Sequence, residues 1–234
     1  MTDRYRLHYA PDNASIIIRM VLEDLRLPYA TALVDRRADA HNKPAFRAIN
    51  PAGKIPALET PDGVIFETAA ILLWLADRHG ALAPTPQAPE RAAFLKWLFY
   101  LSNTLHANFR MIFYPRQYMP DAPEAFPALV TGARQHVRQG LDLFEQEAQA
   151  GHSWFNAEVP SVLDFYLAAI VRWLALYPKG QTEWFELGAY PGLKQLVSRL
   201  ETRPSVIAMC RAEGMTATPF TNPQPPMPHE GSVL

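Results

Sequence analysis

Hydrophobic residues recur along this chain in two rhythms, and the change between them divides it near residue 80. Before that point the apolar runs are short. Arg6-Leu7-His8-Tyr9 predicts a strand, and Ala10-Pro11-Asp12-Asn13 ends it. Either Asp12 or Asn13 can cap the helix that follows, over about residues 14–25. In that helix Ile17, Met20, Val21 and Leu25 fall at helical spacing, with Arg19, Glu23 and Asp24 off the buried stripe. Ala32-Leu33-Val34-Asp35 predicts a second strand and Pro44–Ala48 a short helix. Ala57-Leu58-Glu59 and Val64-Ile65-Phe66 predict two more strands, joined by a Thr60-Pro61-Asp62-Gly63 hairpin turn. Glu67 or Thr68 opens a helix through Arg78. Early alternation of strand and helix implies parallel pairing, and the hairpin adds an antiparallel pair. The expected product is a mixed four-stranded sheet with helices on both faces.

Beyond residue 80 the rhythm becomes wholly helical. Pro84, Pro86 and Pro89 make residues 81–90 a stiff linker. A long helix from Arg91 to Phe109 carries Phe94, Trp97, Leu98, Leu101 and Leu105 on one face, with Tyr114-Pro115 as its limit. A second covers about 123–150, with Leu129, Val137, Leu141 and Phe144 as core. Ser161-Val162-Leu163-Asp164 has capping-box spacing and heads an apolar helix, Phe165–Leu176, that belongs at the centre of a bundle. Tyr190-Pro191 and Arg203-Pro204 start two more. Residues 216–234 hold five prolines and few large apolar side chains, which predicts a disordered or surface-draped tail. The expected division is an α/β domain at 1–80, a linker at 81–90, an all-α domain at 91–215 and a Pro-rich tail at 216–234.

Composition narrows the function classes. With 234 residues, 49% of them hydrophobic, the chain can bury a sizeable core. A formal net charge of -1 gives no long-range field favouring nucleic acid or an anionic membrane. Ile71–Ala76 is far too short an apolar run to span a bilayer, and Met1–Arg6 is polar rather than a signal-peptide core. The single cysteine, Cys210, fits a reducing compartment and reads as packing, so the expected location is cytoplasmic. Neither metal-ligand spacing nor a Gly-rich phosphate loop occurs.

The most distinctive stretch is Asn50-Pro51-Ala52-Gly53-Lys54-Ile55-Pro56-Ala57-Leu58. Pro51 and Gly53 mark a turn, and Pro56 bends the chain into the third strand; an X–Pro bond there is a candidate cis peptide. This stretch resembles the Asn-Pro-x-Gly-x-Val-Pro-x-Leu loop of the cytosolic glutathione transferase superfamily. Glu67-Thr68-Ala-Ala-Ile-Leu resembles that family's Glu-Ser-x-x-Ile segment, with Thr68 in place of serine. Pro160-Ser161-Val-Leu-Asp164 resembles its Ser-x-x-Asp box. Arg203-Pro204-Ser-Val206 with Glu213-Gly214-Met215 resembles the last helix of bacterial beta-like members.

The resemblance implies a thioredoxin-like N-terminal domain, an all-α C-terminal bundle, and glutathione as co-substrate without a metal. It implies that Pro56 is cis and that the backbone of Ile55 pairs with the cysteinyl unit of glutathione, a form of strand addition. Thr68 would receive the γ-glutamyl carboxylate at a helix N-terminus, Glu67 would lie near the amine, and Lys54 would meet the glycyl carboxylate. His106, in Leu105-His106-Ala107, resembles a beta-class segment facing the glutathione site, with Ala107 in place of its lysine. Phe109, Phe113, Tyr114 and Arg116 follow and would line the electrophile pocket.

The chemistry requires a thiolate. A free thiol titrates near ~8.5, and lowering that by two units takes about 2.7 kcal/mol of preferential stabilisation of the anion. The donor should follow the first strand, and three residues compete: Tyr9, Asn13 and Ser15. The beta-class cysteine position falls on Ala14, which excludes a mixed disulfide there. The leading expectation is therefore a homodimeric transferase conjugating glutathione to a small hydrophobic electrophile. A glutathione-dependent isomerase, peroxidase or dehalogenase is an alternative, as is a non-catalytic glutathione-binding carrier or regulatory protein of the same fold.

Overall fold

The computed structural model describes residues 5–232. Four strands form one sheet in the order β2-β1-β3-β4: β1 Tyr5–Tyr9, β2 Tyr29–Leu33, β3 Ala57–Thr60 and β4 Gly63–Phe66. β1 pairs parallel with β2, Tyr5 opposite Tyr29, and antiparallel with β3, Leu7 opposite Leu58. The mixed sheet with its closing hairpin is as the sequence pattern implies. β2 lies nearer the N-terminus than expected. Its register on β1 ends at Leu33, and Asp35 turns the chain instead, accepting from the Arg37 N–H through its side chain and from the Ala40 N–H through its carbonyl.

Helices α1 (Ser15–Asp24), α2 (Pro44–Arg47) and α3 (Thr68–His79) complete the N-terminal unit, whose fold is thioredoxin-like. The rest is helical: α4 (Arg91–Tyr100), α5 (His106–Phe113), α6 (Pro115–Tyr118), α7 (Phe126–Gln149), α8 (Val162–Leu176), α9 (Pro191–Glu201) and α10 (Pro204–Glu213). α4 and α5 make one rod, joined by a π-helical turn over Leu101–Leu105. Such wide turns concentrate at functional sites, and this one ends at His106. No helix among the described residues is long and apolar enough to cross a membrane.

α8 is the axis of the bundle, with every residue from Val162 to Leu174 buried. The expected capping box is formed: Leu163 N–H donates to Ser161 Oγ at 3.2 Å, and Ser161 N–H donates to Asp164 Oδ2 at 2.7 Å. α1 packs against α8 and α10 as well as α3. Arg19, read from the pattern as off the stripe, is consequently buried and paired with Glu213 of α10 at 2.9 Å. A second unit covers the face that an isolated amphipathic helix would leave in water.

Of the two expectations for the Pro-rich tail, the structure has the surface-draped one, with a buried anchor. Phe220 is fully buried, and Glu201 accepts from the Phe220 and Thr221 N–H groups at 2.8 and 2.7 Å. One large apolar anchor and a set of backbone hydrogen bonds hold a segment whose composition alone would leave it loose.

Candidate functional site

A cleft of about 650 Å³ opens between the N-terminal unit and the α4–α5 rod. Three pieces of backbone form its N-terminal side. The first is the Lys54-Ile55-Pro56 bend, in which Ile55–Pro56 is cis. Asn50 braces it from a buried position, donating from Nδ2 to the Lys54 carbonyl at 2.6 Å and accepting from Ala52 N–H at 3.0 Å. With both amide ends engaged, Asn50 fixes the bend. The second is the start of α3, where Glu67 sits at φ 71 and Thr68 is buried. A non-glycine residue there carries backbone strain, which characteristically accumulates at ligand sites. The third is the start of α1, where Asn13 and Ala14 line the cleft. Both helix N-termini present backbone N–H groups and favour anions.

The opposite wall is aromatic. Phe109 stacks on Trp173 of α8, with ring planes 8° apart and centroids at 6.1 Å. Phe113 meets Phe109 edge-on at 4.4 Å and Tyr177 at 5.6 Å. His106 stands between this wall and the polar side, sharing a 2.7 Å hydrogen bond from Nδ1 with the Tyr166 hydroxyl. Burial, reinforced by the charges of Arg110 and Lys54, pushes the His106 imidazole down to about 3. It is therefore neutral at physiological pH, and its role is that of a hydrogen-bonding group rather than a cation.

The cleft thus gathers most of the residues singled out from the sequence: Asn13, Lys54, Ile55, Pro56, Glu67, Thr68, His106, Phe109, Phe113 and Tyr114. Three others lie off its lining. Ser15 is fully buried, its hydroxyl donating to the Ala10 carbonyl at 3.1 Å and accepting from the Ala10 N–H at 3.4 Å. It closes the turn between β1 and α1. Tyr9 donates its hydroxyl to Glu230 of the tail and stacks beneath the Arg19 guanidinium at 4.9 Å. Burial first, and then the Glu230 hydrogen bond, hold that phenol well above its usual range. Arg116 is exposed on α6. Of the three candidate donors, only Asn13 faces the cleft; its Oδ1 accepts from Ala14 N–H at 2.8 Å, and among the described residues no protein acceptor takes its NH2 group.

Asp12 is the residue whose importance the sequence pattern concealed. It sits at φ 48, in the left-handed region, and its carboxylate is inaccessible to solvent. Arg172 donates to it from Nε at 2.8 Å and from Nη2 at 2.9 Å. Trp173 Nε1 adds a bond at 3.1 Å and the Tyr177 hydroxyl one at 2.7 Å. Asp12 thus ties the β1–α1 loop to the bundle axis and holds Asn13 toward the cleft. A signal was present, since Asp164 and Arg172 are the only charged residues in an otherwise apolar helix. Buried charges require partners. Which partner Arg172 takes is not written locally.

A thioredoxin-like unit thus turns a cis-proline bend and two helix N-termini toward an aromatic-walled cleft. Comparison with known proteins gives the family. Residues 15–78 match the family model described as glutathione S-transferase, N-terminal domain, and residues 92–199 match the one described as glutathione S-transferase, C-terminal domain. The chain belongs to the glutathione S-transferase family. It is 28% identical to glutathione S-transferase GstA of Escherichia coli O157:H7, over 90% of this chain and 99% of the relative. It is 27% identical to the disulfide-bond oxidoreductase YfcG of Escherichia coli strain K12, over 85% of this chain and 91% of that one. Among solved structures, a sphingomonad glutathione S-transferase complexed with glutathione superposes with a TM-score of 0.72 at 28% identity, over 90% of this chain and 100% of that one.

Proposed function

We propose that the protein binds glutathione, stabilises its thiolate, and conjugates it to a small hydrophobic electrophile. The observation that carries this reading is the convergence on one cleft of the Ile55 backbone, the α3 and α1 N-termini and the aromatic wall. In this reading the γ-glutamyl carboxylate lies at Thr68 and the α3 N-terminus, with its amine near Glu67. The cysteinyl backbone pairs with Ile55, and the glycyl carboxylate meets Lys54. That arrangement places sulfur at the start of α1, where the Asn13 NH2 group donates to it with support from the helix N-terminus.

A hydrogen bond from a neutral donor to an anion, together with a helix N-terminus, supplies stabilisation of the size that lowering a thiol pKa by about two units requires. Asn13 is the proposed donor. Ser15 then acts by fixing the turn, and Tyr9 by packing against the tail. The reaction forms a carbon–sulfur bond and breaks the bond to the leaving group, which departs with its electron pair; the thiol proton is released to solvent beforehand. Alignment of the two reactants supplies the remaining acceleration. The only cysteine, Cys210, is buried in the core with its thiol pushed up to about 11 by burial, and it does not line the cleft. The proposal therefore assigns no covalent role to a protein thiol.

The test follows the ultraviolet absorbance of bound thiolate against pH in wild type and in Tyr9→Phe, Asn13→Ala, Ser15→Ala and His106→Ala. A higher bound-thiol pKa in Asn13→Ala alone supports the assignment; the same value in all five proteins removes Asn13 from the chemistry. Retention on immobilised glutathione without turnover of any electrophile in a broad panel would instead make the protein a carrier. Failure to be retained would count against the glutathione reading as a whole.

A further inference from the structure

The segment after α10 lies outside the cleft and nevertheless bears on it. Among the described residues, none beyond Tyr177 lines the cleft. The tail reaches the site through Arg172, whose side chain has no solvent-accessible surface. Two of its N–H groups donate to the Asp12 carboxylate. Two more donate to tail carbonyls, Pro219 at 2.9 Å and Gln224 at 3.1 Å. The tail thus supplies half of these acceptors, and a buried guanidinium requires them.

Asp12 is held at both its backbone and its side chain. Its N–H donates to Glu213 of α10 at 3.2 Å, and its carboxylate accepts from Arg172, Trp173 and Tyr177. At φ 48 it keeps a conformation that a non-glycine residue holds only where the surroundings impose it. The next residue is Asn13, whose carbonyl accepts from Ile16 N–H at 2.9 Å as α1 begins. A rotation at Asp12 therefore redirects both the Asn13 side chain and the first N–H groups of the helix.

The tail is docked by contacts of its own, away from the site. Phe220 is fully buried, and Glu201 of α9 accepts from the Phe220 and Thr221 N–H groups and from the Thr221 hydroxyl, the last at 2.8 Å. Met227 N–H donates to the Gly214 carbonyl at 2.8 Å. Neither Phe220 nor Glu201 lines the cleft. Releasing the tail takes two acceptors from Arg172. The guanidinium then turns toward water, and its fork on Asp12 loosens.

We propose that residues 219–224 act as a strap that positions the start of α1, so that thiolate stabilisation by Asn13 depends on tail docking. Phe220 and Glu201 are then positioning residues, acting through Arg172 and Asp12. This rests on the donor role proposed for Asn13 above.

The test measures the bound-thiol pKa by ultraviolet absorbance in Phe220→Ala, Phe220→Leu and Glu201→Ala, each alone and combined with Asn13→Ala. Phe220→Ala and Glu201→Ala should each raise it by about half a unit or more, with Phe220→Leu nearer wild type. In the Asn13→Ala background none should raise it further, because the group being positioned is gone. Lost stability by itself would not produce that pattern. Wild-type values in the folded variants, or equal increments with and without Asn13, overturn the proposal. Should Phe220→Ala fail to fold, Glu201→Ala decides.

If Asn13→Ala leaves the pKa unchanged, or no thiolate is bound, it is the donor reading that fails, and the strap is scored by amide hydrogen exchange in the free protein. Residues 12–16 should exchange about tenfold faster in Glu201→Ala than in wild type, with residues 68–71 at the start of α3 unchanged. Unaltered exchange at 12–16, or the same acceleration at 68–71, overturns the strap irrespective of any ligand.

Discussion

Arg172 and Asp12 form a two-point ion pair, with bonds of 2.8 and 2.9 Å, and neither side chain is accessible to solvent. Arg172 also donates to the carbonyls of Pro219 and Gln224 at 2.9 and 3.1 Å. One guanidinium therefore joins the bundle axis, the loop ahead of α1 and the C-terminal tail. Removing one member of a buried pair strands the other charge. Arg172→Met is expected to lower unfolding free energy by about 3–5 kcal/mol, read from urea melts. Asp12→Asn with Arg172→Met should recover part of that loss, because no isolated charge is left; a double variant as unstable as the sum of the singles would show that the pair is not coupled.

The proposed donor Asn13 and the tail-bound Tyr9 have different expected effects on bound thiol. Asn13→Ala should raise the pKa of bound glutathione thiol by about one unit, equivalent to ~1.4 kcal/mol. Tyr9→Phe should leave that pKa unchanged, since its hydroxyl is committed to Glu230 outside the cleft. An upward shift in Tyr9→Phe comparable to that in Asn13→Ala would return the phenol to consideration as the donor.

His106 makes stability depend on pH in a direction that can be worked out. Its folded-state pKa is about 3, below the unfolded value, so the unfolded chain binds the proton first as pH falls. Stability should therefore decline as pH drops below about 6.5, by up to ~1.4 kcal/mol per pH unit from this group alone. His106→Gln should flatten that slope in denaturant melts between pH 6.5 and the acid limit of folding. The wild-type imidazole should give a neutral-form nuclear magnetic resonance spectrum from pH 5 to 8; titration inside that range would contradict the downward shift assigned to it.

Phe220 anchors the tail with no exposed surface. Phe220→Ala should cost about 3–5 kcal/mol and speed proteolysis beyond residue 216, detectable by limited digestion and mass spectrometry. Wild-type resistance to digestion in the variant would mean that the Glu201 and Arg172 hydrogen bonds hold the tail without it.

Much of the architecture is local and was legible from the residues themselves. Alternating apolar runs specify the strands and helices, Ser161 and Asp164 cap the central helix through neighbouring backbone, and the Asn50–Leu58 bend depends on prolines and a glycine within nine residues. These features need only the nearest neighbours in the chain, so residue order is enough to specify them. The end of β2, the burial of Arg19 and the ordering of the tail were set differently, because each depends on a surface that another part of the chain supplies. The choice among Tyr9, Asn13 and Ser15 is of the same kind. All three sit within one short turn, and local chemistry allows each to donate a hydrogen bond. Where each side chain goes is set from elsewhere in the chain: Glu230 takes Tyr9, the turn itself takes Ser15, and Asp12, fixed by Arg172 from 160 residues away, leaves Asn13 facing the cleft, which is what favours Asn13 in the proposed reading. Side-chain direction at such a turn is decided by long-range charge pairing, which residue order does not encode in any local pattern.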